Sequence, residues 1–187
     1  RIKASTLSLL SWRNIATGAG DWRFAPSVAY NEERNEYLIT YTHSPGATYG
    51  DGNILGRIVS ANMGTVSAEI PIVTDGYDQQ NSDVASARGE YLVVWEDGTW
   101  GTNDYDIYAR RVGGDGVPQG NSGGFAVDNA NANPRADPTI AFGNGFGYLI
   151  AWSYAEGGSV GWPPTVQDVY GAMVKPGQDT ITGAVFA

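Results

Sequence analysis

Residues 96 to 106 of this chain hold five carboxylate or carboxamide side chains: Glu96, Asp97, Asn103, Asp104 and Asp106. Such a loop suits calcium, which takes about six to eight oxygen ligands, several from carboxylates. Asp97, Asn103 and Asp104 are therefore candidate metal ligands, and calcium is the one cofactor the sequence suggests, although none is established by it. The spacing does not follow the twelve-residue helix–loop–helix pattern. Asp106 reads differently. Its counterparts Asn53 and Asp168 also stand just before a strand, where a short polar side chain bonds the backbone N–H groups of a turn. A second group could meet a ligand: Trp100, Trp162, Tyr154, Tyr49 and His43, aromatic residues in or beside glycine-rich loops. Sugar C–H faces stack on rings of this kind, and loops carry function.

No catalytic constellation accompanies them. His43 is the only histidine, and no Gly-x-Ser-x-Gly elbow goes with it. Carboxylates are plentiful, but nothing selects the two that glycoside hydrolysis needs. The stretch "EDGTW", 96–100, resembles part of the sialidase Asp-box. It lacks the leading Ser or Thr and falls between two strands, so it is treated as chance. The glycine runs "GGDG" at 113–116 and "GNGFG" at 143–147 join strands, and no helix follows to hold a phosphate.

The elements that position these residues come from repetition. "APSVAYNEERNEYLITYTH" from Ala25, "NSDVASARGEYLVVWED" from Asn81 and "ADPTIAFGNGFGYLIAWSY" from Ala136 share one pattern. Each is an apolar strand, a turn, then Tyr-Leu-aliphatic-x-aromatic, anchored at Tyr37, Tyr91 and Tyr148. A third strand follows in each copy ("NILGRIVS", "DIYARRVGG", "DVYGAMVKP"), and then a fourth ("TVSAEIPIVTD", "GFAVDN", "TITGAVFA"). Residues 1–24 fit the tail of the same template, with Arg1–Lys3 ending a third strand and Thr6–Thr17 forming a fourth.

Four strands per repeat of about 55 residues describe a β-propeller blade. In "YLVVWED", Leu92 and Val94 face one side, and Tyr91, Val93 and Trp95 the other. Both sets are apolar, so both faces of the sheet should be covered by neighbouring sheets. Trp95, Trp152 and Tyr41 recur at one strand position, which marks a repeated core site between blades more than a ring of sugar platforms. The expected architecture is an all-β propeller of four-stranded antiparallel blades, about three in this chain: 1–24 the end of a preceding blade, then 25–79, 80–134 and 135–187. Three blades do not close a ring, so the remainder is expected from a longer polypeptide or a second copy.

Composition narrows the classes. The 187 residues include 26 glycines, 6 Trp and 11 Tyr, with a net charge of −9. That charge repels nucleic acid and anionic membranes. No apolar run is long enough for a membrane span. The absence of cysteine excludes disulfides and thiolate chemistry.

The stretch "YLVVWEDGTWGTNDYDIYARRVGGDGVPQG" resembles repeats of large secreted or surface-bound bacterial proteins, which read Val-Val-Trp-x-Asp, a glycine-rich loop, Asp-Ile-Tyr, an Arg-Val pair and a Gly turn. The resemblance spans nearly the whole chain and is best over 81–128. In the looser copies Tyr41 and Trp152 match Trp95, while Thr42 and Ser153 replace Glu96. It implies propeller blades and a secreted or cell-surface address. It implies little about activity; from the aromatic and acidic residues of the long loops, the expected function is a non-enzymatic extracellular binding or adhesion module, with carbohydrate the expected ligand. It would bind a glycan or cell-surface ligand through the loops at 42–53, 96–105 and 153–167. A structural or assembly scaffold is the alternative, and a glycoside hydrolase-like enzyme ranks below both.

Overall fold

The computed structural model describes residues 13–98, 104–130, 133–155 and 167–183. They form three antiparallel sheets, each a meander in chain order. The first holds β1 (Trp22–Asn31), β2 (Glu36–Ser44), β3 (Asn53–Ser60) and β4 (Ile70–Val73). The second holds β5 (Asp78–Ala87), β6 (Glu90–Gly98), β7 (Tyr105–Gly113) and β8 (Phe125–Asp128). The third holds β9 (Arg135–Gly143), β10 (Gly147–Ala155) and β11 (Gln167–Val174). These are three blades of a partial β-propeller. A fourth strand is represented in the third blade by the bridge between Val174 and Ile181.

The meander follows from local chemistry. β5 and β6 pair directly from Ala87 to Glu90, leaving a two-residue turn. Arg88 and Gly89 both take positive φ, 49° and 75°, as the tight hairpin turn that matches strand twist requires. Alternation along β6 then does what its sequence implies. Tyr91, Val93 and Trp95 pack with Leu38, Ile54 and Ile72 of the first sheet. Leu92 and Val94 pack with Ile140, Tyr148, Ile150 and Trp152 of the third. Burying side chains of this size contributes about 1.5–3 kcal/mol each, so the two inter-sheet cores are the main source of cohesion.

The central sheet is thus covered on both faces, as expected. The outer two are each covered on one. Val28 and Tyr30 of β1 remain 58% and 45% exposed, and Leu149 and Val169 of the third sheet 49% and 72%. The expected strand over Thr6–Thr17 is absent from its described part, residues 13–17. Instead the Arg13 guanidinium donates to the carbonyls of Met63 and Gly64, both at 2.9 Å. Hydrogen bonding to a turn of the first blade replaces strand pairing there. Arg1–Lys3 lie outside the described residues. No helix among the described residues is long and apolar enough to cross a membrane.

Candidate functional site

The innermost strands, β1, β5 and β9, lie side by side where the three blades converge. Each bulges near its start. The register shifts between Phe24 and Ser27 in β1 and between Gln80 and Asp83 in β5. In β9 it shifts between Ala136 and Thr139, opposite Ala151 and Ser153. One residue in each bulge takes the left-handed conformation: Ala25 at 48°, Asn81 at 51° and Asp137 at 53°. Asn and Asp tolerate that conformation better than other side chains do, whereas for Ala25 it is strained. A bulge inserts an extra residue and re-aims the side chains beside it. Here the three insertions line one open depression of about 360 Å³, walled by residues 25–27, 81–83, 137 and 138.

Two carboxylates belong to that wall. Asp83 is held by four donors from all three blades. Its Oδ1 accepts from the Ser27 hydroxyl at 2.5 Å and the Val84 amide at 2.9 Å. Its Oδ2 accepts from the Thr139 hydroxyl and the Ile140 amide, both at 2.9 Å. Asp137 is exposed, and its backbone amide donates to Oε1 of Glu96 at 2.7 Å. Glu96 is buried, at 3% exposure. Its Oε2 accepts from Gln80 Nε2 at 2.9 Å and Asn81 Nδ2 at 3.0 Å. Burial raises the pKa of the Glu96 carboxyl above the ordinary glutamate value, against these three hydrogen bonds, which lower it.

Around the site the remaining charged groups are mostly committed. Trp95 donates its indole N–H to Asp97 at 2.9 Å. Burial pushes Asp97 up to about 6, with further upward contributions from Asp75 and Asp106. Buried Arg135 pairs with Asp128 at 2.7 Å and with Asp106 at 3.2 Å. Asp106 therefore anchors a neighbouring blade through an arginine, beyond the turn-capping role its position suggests. Trp152 donates to Asp128 at 3.2 Å. Trp95 and Trp152 are 0% and 1% exposed, so this repeated position is indeed inter-blade core.

The sequence-predicted ligand residues scatter. His43 is half-buried and shares a hydrogen bond of 3.2 Å with Asp21. Tyr49 is 69% exposed and meets the edge of Trp22, ring centroids 4.8 Å apart. Tyr154 is buried instead of open: Asn133 donates to its hydroxyl at 2.6 Å, its ring lies 4.6 Å from that of Tyr170, and the Arg135 guanidinium sits over it. It packs as a core residue because it ends the strand on the face turned toward the second blade. Trp100, Trp162 and Asn103 lie outside the described residues. Among the described residues no three His, Cys, Asp or Glu side chains are grouped to hold a metal ion, and Asp97 is engaged by Trp95.

No protein-family model matches the sequence, and no curated protein matches it. Solved structures do match in fold. Zg3597, a family 117 glycoside hydrolase of the marine bacterium Zobellia galactanivorans, superposes with a TM-score of 0.55 at 13% identity, covering 82% of this chain and 53% of its own. The GH43 endo-arabinanase of Bacillus licheniformis gives 0.54 at 12%, covering 91% and 57%. The α-L-arabinofuranosidase of Lactobacillus brevis gives 0.58 at 11%, covering 87% and 56%. At these identities the likeness is one of propeller fold, and the chain spans little more than half the length of these proteins. They are glycoside hydrolases, and that corrects the expectation of a non-enzymatic binding or adhesion module. Sequence reasoning also missed Asp83, Asp137 and the role of Glu96. The available signal was the Asn and Asp placed at matching points of two copies, types that favour a left-handed bulge residue.

Proposed function

We propose that this chain supplies three blades of a propeller enzyme that hydrolyses glycosidic bonds in a neutral polysaccharide, with the axial depression as the cleavage site. The observation that carries this reading is the convergence of Asp83 and Asp137 on one open depression through three equivalent bulges. Glycoside hydrolysis needs a pair of carboxyl groups flanking the scissile bond around an oxocarbenium-like transition state. Asp137, exposed at the depression, is the general acid that gives its proton to the leaving glycosidic oxygen. Asp83, held by four donors, is the carboxylate that takes the proton from the attacking water and stabilises the developing cation. Glu96 positions Asp137 through its backbone amide. The fold neighbours support the substrate class: the endo-arabinanase above is named for arabinan, and an endo-1,4-β-xylanase of Bacteroides thetaiotaomicron, of like fold at a TM-score of 0.53 and 11% identity, for xylan. A polymeric substrate places the reaction outside the cell, in keeping with a secreted bacterial protein.

The open flanks of the first and third sheets support ring closure by further blades, either on the same polypeptide or from a second copy. Three blades covering 53–57% of the neighbours' length suit a ring of about five. The native mass of the protein tests this, and a stable monomer containing these three blades alone would overturn it.

The activity test is release of reducing ends from arabinan and xylan by the native polypeptide carrying these blades. Asp137→Asn should lower kcat by about a hundredfold or more and leave KM close to the parent value. An unchanged kcat in that variant sinks the assignment, and no release from either polymer sinks the reading.

A further inference from the structure

The bulge in β1 does more than line the axial depression. It separates two sets of exposed aromatic residues that the sequence alone would merge. Beyond the bulge, Val28 pairs with Ile39 and Tyr30 with Tyr37, and these residues form the outer flank of the first sheet. Before it, Trp22 pairs with Ser44 and Phe24 with Thr42. Directly paired residues share a face of the sheet. Ser44 and Thr42 are buried, on the face whose Thr40 accepts a hydrogen bond from Ser82 of the second sheet at 3.0 Å. A blade laid on the outer flank would cover Val28 and Tyr30. It would leave Trp22 beside the axis, with Phe24 at the seam.

Trp22 and Phe24 are 38% and 40% exposed. With Tyr49, Asp21 and Arg23 they line an open depression of about 600 Å³, within the usual range for a small-molecule site. Trp22 and Tyr49 meet edge-to-face at 67°, an arrangement aromatic pairs favour. The polar rim is fixed: Asp21 accepts from the Gly46 amide at 3.0 Å, bonds His43 at 3.2 Å and pairs with Arg23 at 3.6 Å. The platform is continuous along β1 with Ala25 to Ser27, which wall the axial depression. At a rise of about 3.3 Å per residue, Trp22 lies about 10 Å along the strand from Ala25, a reach suited to one polymer chain occupying both.

Resting on the hydrolase reading above, we infer that Trp22 and Tyr49, rimmed by Phe24, form a stacking subsite that holds a neutral sugar unit of the polysaccharide to one side of the cleavage point. Aromatic faces take the C–H faces of a sugar while the rim meets its hydroxyls. The chain's net charge of −9 disfavours an anionic ligand.

The experiment uses the native polypeptide in two forms. Binding of linear arabino-oligosaccharides and xylo-oligosaccharides of increasing length is measured calorimetrically in the Asp137→Asn background, where turnover is slowed about a hundredfold or more. Affinity should rise with length. Trp22→Ala should weaken the longer ligands about tenfold and leave the shortest unchanged. Tyr49→Phe, which keeps the ring, should weaken binding less than Tyr49→Ala does. Circular dichroism melts establish that each variant is folded. In the active form, Trp22→Ala should raise KM for long substrates with little change in kcat for short ones. Length-independent binding, or unaltered binding in Trp22→Ala, overturns the subsite even if hydrolysis is confirmed. Length-dependent, Trp22-dependent binding without cleavage leaves the subsite standing and overturns the hydrolase reading alone. Absence of both binding and cleavage overturns both.

Discussion

The backbone amide of Asp137 donates to Oε1 of Glu96 at 2.7 Å, so a buried carboxyl group of the second blade holds the bulge of the third. The same carboxyl group takes Gln80 and Asn81 of its own blade on the other oxygen. One side chain therefore fixes two of the three bulges at the axis. All three partners are N–H donors, and a carboxylate is an acceptor on both oxygens.

Glu96→Gln tests that arrangement with little change of shape. A glutamine amide has one accepting oxygen, so either the Asp137 amide or the Gln80 and Asn81 pair faces an NH₂ group and is left unsatisfied. The expected loss is about 1–3 kcal/mol, read as a fall in the urea midpoint at constant m-value. Glu96→Gln should also lower kcat on polysaccharide, through the displaced Asp137, more than it raises KM. Stability and kinetics equal to the parent's would show that the bulge holds itself.

Asp83 ties the three blades through Ser27, Thr139, Ile140 and Val84. Asp83→Ala removes the acceptor and strands buried or half-buried donors in each blade. A loss of about 2–4 kcal/mol is expected, the cost of several unmet hydrogen bonds less what water recovers in the open depression. For a chain of this size each kcal/mol shifts Tm by roughly 2–4 °C, so calorimetry would register a fall on the order of 10 °C. Asp83→Asn, which keeps one accepting oxygen, should fall between parent and alanine variant. A melt indistinguishable from the parent's would remove Asp83 from any axial role.

The fold was legible because its signal is apolar and repeated. Tyr91, Val93 and Trp95 on one face of β6 and Leu92 and Val94 on the other admit no sheet with a wet side, and the structure packs them into two separate cores. The site was not legible, because a bulge is a backbone event that leaves a weak mark on residue type. Ala25, Asn81 and Asp137 occupy one conformation with three different side chains; Pro-Ser-Val after Ala25 and Pro-Thr-Ile after Asp137 match, but Asn81 is followed by Ser-Asp-Val, and such a pattern reads as the start of a strand more than as a bulge. Trp22 was hidden for another reason. Strand β1 begins at Trp22, three residues before the repeat becomes visible in the sequence, so the residue falls in the apparent tail of a preceding blade. Tyr154 misled in the opposite sense. Its place beside a glycine-rich loop suggested access, but alternation along β10 turns it toward Tyr170 and Arg135.

Trp95 and Trp152 allow the two inter-blade cores to be weighed separately. Trp95 belongs to the core between the first and second sheets, and Trp152 to that between the second and third. Each alanine variant opens a large cavity, at an expected cost of about 3–5 kcal/mol. Because the cores share only the central sheet, the double variant should lose close to the sum of the two. Equilibrium unfolding of the two single variants and the double variant measures the coupling. A double-variant loss well below the sum would mean that the blades unfold separately instead of as one unit.

Asp97 gives the fold a pH dependence whose sign is fixed by its environment. Burial lifts its carboxyl from 3.8 in the unfolded chain to about 6 in the folded one. Between those values the native state binds the proton more tightly than the unfolded state does, so this group's contribution to stability is full below about pH 4 and is lost as pH rises through 6. Asp97 is partly open to solvent, so screening reduces the effect to on the order of 1 kcal/mol. Asp97→Asn keeps an oxygen to accept the Trp95 indole N–H and removes the titration. The variant should match the parent near pH 4 and exceed it at pH 7, with a flatter dependence of the urea midpoint between them. A variant whose midpoint falls over that interval as steeply as the parent's would assign the dependence to another buried carboxyl group, with Glu96 the first to substitute next.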